Sequence, residues 1–142
     1  MTLHMTYCSK DKDRTRKDLP AIERYDSDRI DKIKALAEKR DEDFAILSGK
    51  CGLIGPEEKI PFYDELLRER NIPQLITGVK NFLESHNVDK VIYHTRKVEN
   101  ERKPYFKLVK NAYKRNHYRD KRRYCRDYFK AWTNRISQRQ AN

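Results

Sequence analysis

The run Phe44-Ala45-Ile46-Leu47 is the feature that most limits what this chain can fold into. It is short, continuous and apolar, with Asp43 before it and Ser48-Gly49-Lys50-Cys51-Gly52 after it. A strand without polar alternation is covered on both faces, so helices are expected above and below it. Residues 2–7 alternate, with Leu3, Met5 and Tyr7 on one side and Thr2, His4 and Thr6 on the other, which predicts a half-buried strand. Val88 to His94, containing Val91, Ile92 and Tyr93, predicts a third strand. Pro20-Ala21 reads as a connector. Ser27 is placed to cap a helix reaching about Arg40, in which Ile30, Ile33, Leu36 and Ala37 recur at helical spacing and Asp28 sits in the first turn. Phe62 to Arg70 reads as a short helix. Pro73 suits the first turn of another, with Leu75, Ile76, Val79, Phe82 and Leu83 as its apolar stripe and Asn87 as a left-handed stop. The alternation predicts a small α/β fold: a parallel-leaning sheet of three to four strands with crossover helices, Phe44–Leu47 at its centre, and a basic C-terminal helical segment.

Composition bounds the rest. A chain of 142 residues is one domain by length. With 37% hydrophobic and 39% charged residues, the core must be thin and edged by long charged side chains. No apolar run approaches the roughly 18 residues of a membrane span, and the first residues lack the basic start and apolar stretch of a secretory signal. Cys8, Cys51 and Cys125 are odd in number and widely spaced, which argues against a disulfide framework. Free thiols and no signal predict a cytoplasmic protein with no membrane partner. No Cys-x-x-Cys or His-x-x-x-His pair accompanies Cys8, Cys51 and His94, so no metal is expected, and no cofactor is implied.

The net charge of +11 is not spread along the chain. Residues 1–96 hold as many acidic as basic side chains, whereas residues 97–142 hold 15 Lys and Arg against 4 Asp and Glu. We therefore divide the chain into an α/β core, 1–96, and a basic segment, 97–142, packed on that core within one domain. In the basic segment Tyr105, Phe106, Val109, Ala112 and Tyr113 form one stripe, and Tyr124, Tyr128, Trp132 and Ile136 form another. Both stripes are assigned to packing. Lys107, Lys110, Lys114, Arg115, Arg119, Lys121, Arg122, Arg123, Arg126 and Lys130 are left for a cationic face suited to phosphate contacts. The plainer alternative is a solvated helical tail.

Ligands of open parallel sheets bind beyond the carboxyl ends of the strands. That rule selects Cys8-Ser9-Lys10-Asp11-Lys12, Ser48-Gly49-Lys50-Cys51-Gly52 and His94-Thr95-Arg96, all rich in cationic and small polar residues. Gly49 and Gly52 would let backbone approach a ligand, and Lys50 or Lys10 would hold phosphate. Downstream, Tyr63 would stack on a base and Asp64 would orient water or stabilise charge building on a sugar. The plainer reading of Ser48–Gly52 is an ordinary turn at the end of a strand, since the Walker spacing is absent.

The string Leu47-Ser48-Gly49-Lys50-Cys51-Gly52-Leu53 resembles the Leu-Ser-Ala-Lys-Tyr-Gly-Leu-like signature of a family of small uncharacterised prokaryotic and phage proteins. With Pro61-Phe62-Tyr63-Asp64 it is also similar to a string of the YaaA peroxide-stress family. Cys8-Ser9-Lys10-Asp11-Lys12, Pro20-Ala21 and Tyr25 fit the opening of such chains, so the resemblance covers roughly residues 3–67. It implies a small α/β domain distantly similar to uracil-DNA glycosylase-like folds and to the core of archaeosine synthase. The spacing of Cys8 and Lys12 matches a Cys-x-x-x-Lys loop of that synthase, whose lysine is a nucleophile. Asp13-Arg14 stand where that loop carries Pro-Tyr, and Cys51 where relatives carry Tyr. The expectation is a nucleic-acid-associated protein, with base processing carried by Asp64 and Lys12. The alternatives are a non-catalytic nucleic-acid-binding module and a small-molecule nucleotide-binding or transferase domain.

Overall fold

The structure is a computed structural model that describes residues 1–116. Strands β1 (Thr2–Tyr7), β3 (Asp43–Ser48), β4 (Gly52–Ile54) and β6 (Lys90–His94) form one sheet in the order β4-β3-β1-β6. β1 pairs in parallel with both β3 and β6, and β4 runs antiparallel along β3. A second, two-stranded sheet joins β2 (Leu19–Pro20) to β5 (Lys59–Ile60). The helices are a single turn α1 (Ala21–Arg24), α2 (Asp28–Lys39), α3 (Ile72–Ser85) and α4 (Lys103–Asn116). This is a small α/β fold with a mixed, mostly parallel sheet.

Successive strand residues point to opposite faces. Thr6 of β1 meets Arg29 on α2, while Tyr7 meets Tyr105 on α4, so helices cover both sides. The helix boundaries follow local chemistry. Ser27 Oγ accepts the Ile30 N–H at the start of α2, Pro73 occupies the first turn of α3, and Asn87 takes φ 51° just after it. α4 docks through Tyr105, Leu108, Val109 and Ala112, which belong to the same buried core as the sheet. Among the described residues no helix is long and apolar enough to cross a membrane.

Two expectations need correction. β1 is not half-buried: it is an interior strand, and His4 and Thr6 on its polar side are fully buried. They are accommodated because their polar atoms are satisfied within the protein. Thr6 Oγ1 donates to His94 O at 2.7 Å, and His4 Nδ1 lies 2.8 Å from His94 Nε2. Second, residues 61–68 are irregular, with only a 3-10 turn at Glu69–Asn71. The Leu67 N–H donates to the Tyr105 hydroxyl and the Tyr63 hydroxyl binds Ser48. These tertiary bonds hold the segment across the sheet end, in place of a helical ladder.

Candidate functional site

The carboxyl ends of β1, β3 and β6 lie side by side, as the parallel register requires: Thr6 faces Ile46 on one neighbour and His94 on the other. Three of the segments selected from the sequence are therefore adjacent. What fills the space between them is mostly the chain itself.

Ser48 is the hub. Its Oγ accepts the Lys50 and Cys51 N–H groups at 3.2 and 3.0 Å and lies 2.9 Å from the Tyr63 hydroxyl. With both lone pairs engaged, its own proton goes to Tyr63, and Tyr63 in turn binds the Tyr25 hydroxyl. Burial is the first cause raising the pKa of Tyr25 and Tyr63, so both phenols stay protonated and remain donors. Lys12, half-buried, places its ammonium 4.9 Å from the Tyr63 ring centroid and 5.9 Å from that of Tyr25. Cys8 lies against the Tyr105 hydroxyl at 3.5 Å, and that hydroxyl, also kept protonated chiefly by burial, accepts the Leu67 N–H.

Several sequence-predicted roles change in this setting. Tyr63 is 4% exposed, so its ring offers no open face for stacking on a base. Gly49 and Gly52 serve the fold: a Cβ on Gly49 would stand 2.9 Å from Leu67 N and from the Tyr105 hydroxyl, and Gly52 has φ +76° at the start of β4. The Ser48–Gly52 string is the turn of the β3–β4 hairpin, and two of its N–H groups are taken by Ser48. Lys50 reaches Glu65 at 3.7 Å, Lys10 binds Glu101 at 2.8 Å, and Ser9 Oγ donates to Asp11 O. Asp64 is exposed and makes no hydrogen bond or ion pair among the described residues. Lys12, Ser48 and Tyr63 thus come together, whereas the Lys50 ammonium points to Glu65 and Asp64 projects from the adjoining loop.

His94 is buried within a chain Glu42–His4–His94. Burial, and then the electrostatic influence of His4, lower its pKa to about 2, so it is neutral, and its Nε2 lies 2.8 Å from His4 Nδ1 with one proton between them. His4 then gives its Nε2 proton to Glu42 at 3.1 Å. Arg96 is exposed at the end of β6. On α4, Lys107 and Lys110 are exposed, and Lys107 lies 3.3 Å from Glu69. Lys114 and Arg115 belong to the last turn of α4, beyond the described side chains; Arg119, Lys121, Arg122, Arg123, Arg126 and Lys130, with the aromatic stripe Tyr124–Ile136, lie outside the described residues.

Sequence reasoning missed two arginines. Arg24 is fully buried and donates to the carbonyls of Asp13, Thr15, Lys17 and Ile60, pinning the basic loop that carries Lys12. Arg29 donates from Nη1 to Thr6 Oγ1 and Tyr7 O and from Nη2 to Cys8 O, and its guanidinium lies 3.7 Å from the Tyr7 ring centroid. Both look like ordinary exposed helix positions in a chain with so many cations, and each even has an acid at helical spacing, Asp28 four residues after Arg24 and Asp26 three before Arg29. A cleft of about 570 Å³ lies at the opposite end of the sheet, among Met1, Glu42, Phe44, Pro56, Phe82 and His86, and none of the candidate site residues chosen from the sequence lines it. No protein-family model matches the chain, and neither curated proteins nor solved structures give a match.

Proposed function

We propose that this chain is a nucleic-acid-binding α/β protein that grips the phosphate backbone through its C-terminal third. One observation carries the reading: the entire +11 excess falls in residues 97–142, and the described part of that segment is a helix docked by one face with cations on the other. Lys103, Lys107 and Lys110 are exposed while Tyr105, Leu108, Val109 and Ala112 are buried. At 1.5 Å rise per residue the three lysines span about 10 Å along the helix, comparable with about three phosphates of one strand at about 3.4 Å of duplex axis each. The likeness of the Cys8–Lys12 and Ser48–Leu53 strings to YaaA-like and glycosylase-like chains is compatible with the same partner. Base processing is the weaker reading, because Tyr63 is enclosed by its own hydrogen bonds and Asp64 has no partner among the described residues that would orient it.

The test is equilibrium binding of the full chain to duplex DNA, single-stranded DNA and RNA across a salt series. Log K is expected to fall steeply and linearly with log salt, and K103E/K107E/K110E is expected to reduce the slope on duplex DNA by about 3. Salt-independent affinity, or a slope that the triple variant leaves unchanged, overturns the proposal.

A further inference from the structure

The cleft at the amino end of the sheet is apolar inside and acidic at its edge. Leu3, Phe44 and Phe82 line it, and Phe82 stacks on His86 with ring centroids 4.0 Å apart. Met1, which with Leu66 makes up the large apolar side chains left exposed among the described residues, lines it as well. Glu38, Glu42, Asp43 and Glu58 bring four carboxylates against the one ammonium of Lys34, which pairs with Glu38. Glu38, Asp43 and Glu58 are exposed. At about 570 Å³ the cleft has room for more than one aromatic ring. An apolar floor edged by acids suits an occupant that carries both rings and cations.

The chain itself leads to this place. α4 starts at the carboxyl end of the strands, where the Tyr105 hydroxyl lies against Cys8, and runs to their amino end, where the Tyr113 hydroxyl donates to Asp89 O. The Asp89 N–H in turn donates to Met1 O, and Met1 lines the cleft. Residues 117–142 follow directly, with 8 Lys and Arg against 2 Asp and with Tyr124, Tyr128, Trp132 and Ile136 at spacings of four. Tyr124 comes 8 residues after Asn116, a reach of about 26 Å if extended and about 12 Å if helical. That tether is long enough, since only Asp89 separates Tyr113 from Met1.

We propose that residues 117–142 of the same chain cover this cleft, with the stripe Tyr124–Ile136 laid on its apolar floor and the flanking cations facing its acids. Burial of the rings supplies most of the gain, because exposed ion pairs contribute little. The charges select a cationic segment over an acidic one. Tethering beside the cleft gives the segment an effective concentration that a second copy in solution does not reach. The docking surface lies at the other end of the sheet from Ser48 and Tyr63, and the inference does not depend on nucleic-acid binding.

The test uses the full chain without nucleic acid and reads Trp132, the one tryptophan of the sequence. In the wild type its emission should be blue-shifted and protected from acrylamide. D43K/E58K, which reverses two exposed acids of the cleft, should move the emission to the red and remove most of that protection. In the reciprocal direction, Y128A/W132A should shift the Gly55 amide and Phe82 ring resonances, which report on the cleft lining. Both effects should persist on dilution. A Trp132 emission unchanged by D43K/E58K, or Gly55 and Phe82 resonances unchanged by Y128A/W132A, means that the stripe packs elsewhere, and the proposal fails. Effects that vanish on dilution identify the segment of a second copy as the occupant, which also overturns it. If one double variant does not fold, the other decides.

Discussion

A methyl group on Gly49 would meet Leu67 N and the Tyr105 hydroxyl at 2.9 Å and Glu65 O at 3.1 Å. Two of these three atoms are backbone, so the residue 61–68 segment itself would have to move. Gly49→Ala is expected to cost about 1–3 kcal/mol, the range of overpacked sites, measured by urea denaturation. Gly55→Ala is the control: its Cβ would meet no atom within 4 Å, and it should be nearly neutral. Equal midpoints for the two variants would show that segment 61–68 does not press on the hairpin turn. The same residue explains why the site was only half legible. A glycine in Ser-Gly-Lys reads equally as ligand approach or as close packing, and the distinction lies in Tyr105, which is 56 positions away in sequence. Ser48 and Lys12 were recognisable because they follow strands. Arg29 was not, because nothing in a helical sequence states that its side chain turns back over a strand end.

The elements were more legible than the site, for a physical reason. β3, α2 and α3 are specified locally, by an uninterrupted apolar run, by Ser27 as cap and by Pro73 with Asn87 at the two ends. β1 and segment 61–68 are specified by partners distant in sequence. His4 counts as polar until its two nitrogens are bonded to His94, 90 positions on, and to Glu42. Tyr63 and Leu67 are four apart, as in a helix, yet their polar groups are taken by Ser48 and Tyr105. β3 was expected to be central and is interior, between β1 and β4. Ile46 on it is fully buried, so Ile46→Ala should lower stability by about 2–4 kcal/mol. A change below about 0.5 kcal/mol would mean that this strand is not close-packed between its neighbours.

At the scale of the whole molecule, the Glu42–His4–His94 chain ties the turn after α2 through β1 to β6 and makes stability depend on pH. Burial first, then the charge of His4, hold the His94 pKa near 2 in the folded protein, against about 6.5 for an unfolded histidine. A base whose folded pKa is depressed remains neutral while the unfolded chain takes up a proton. Unfolding is therefore increasingly favoured as acid is added. The contribution of His94 is complete above about pH 6.5 and is lost progressively as pH falls from there towards 2, with a limiting slope of about 1.4 kcal/mol per pH unit. Burial alone would raise the Glu42 pKa, but the hydrogen bond and charge of His4 outweigh it and the net shift is downward. Glu42 thus loses its stabilising effect in the same direction, but only through the carboxylate range. Urea midpoints between pH 7.5 and 5.5 separate the four histidines from the carboxylates, which scarcely titrate there, and comparison with H94Q separates His94 from the other three. The midpoint should fall across that window in the wild type and flatten in H94Q, whose amide takes up no proton in either state. A midpoint independent of pH in the wild type, or a slope preserved in H94Q, would show that the buried pair does not control the acid limb. In either case the acid sensitivity would have to come from groups outside the β1–β6 seam.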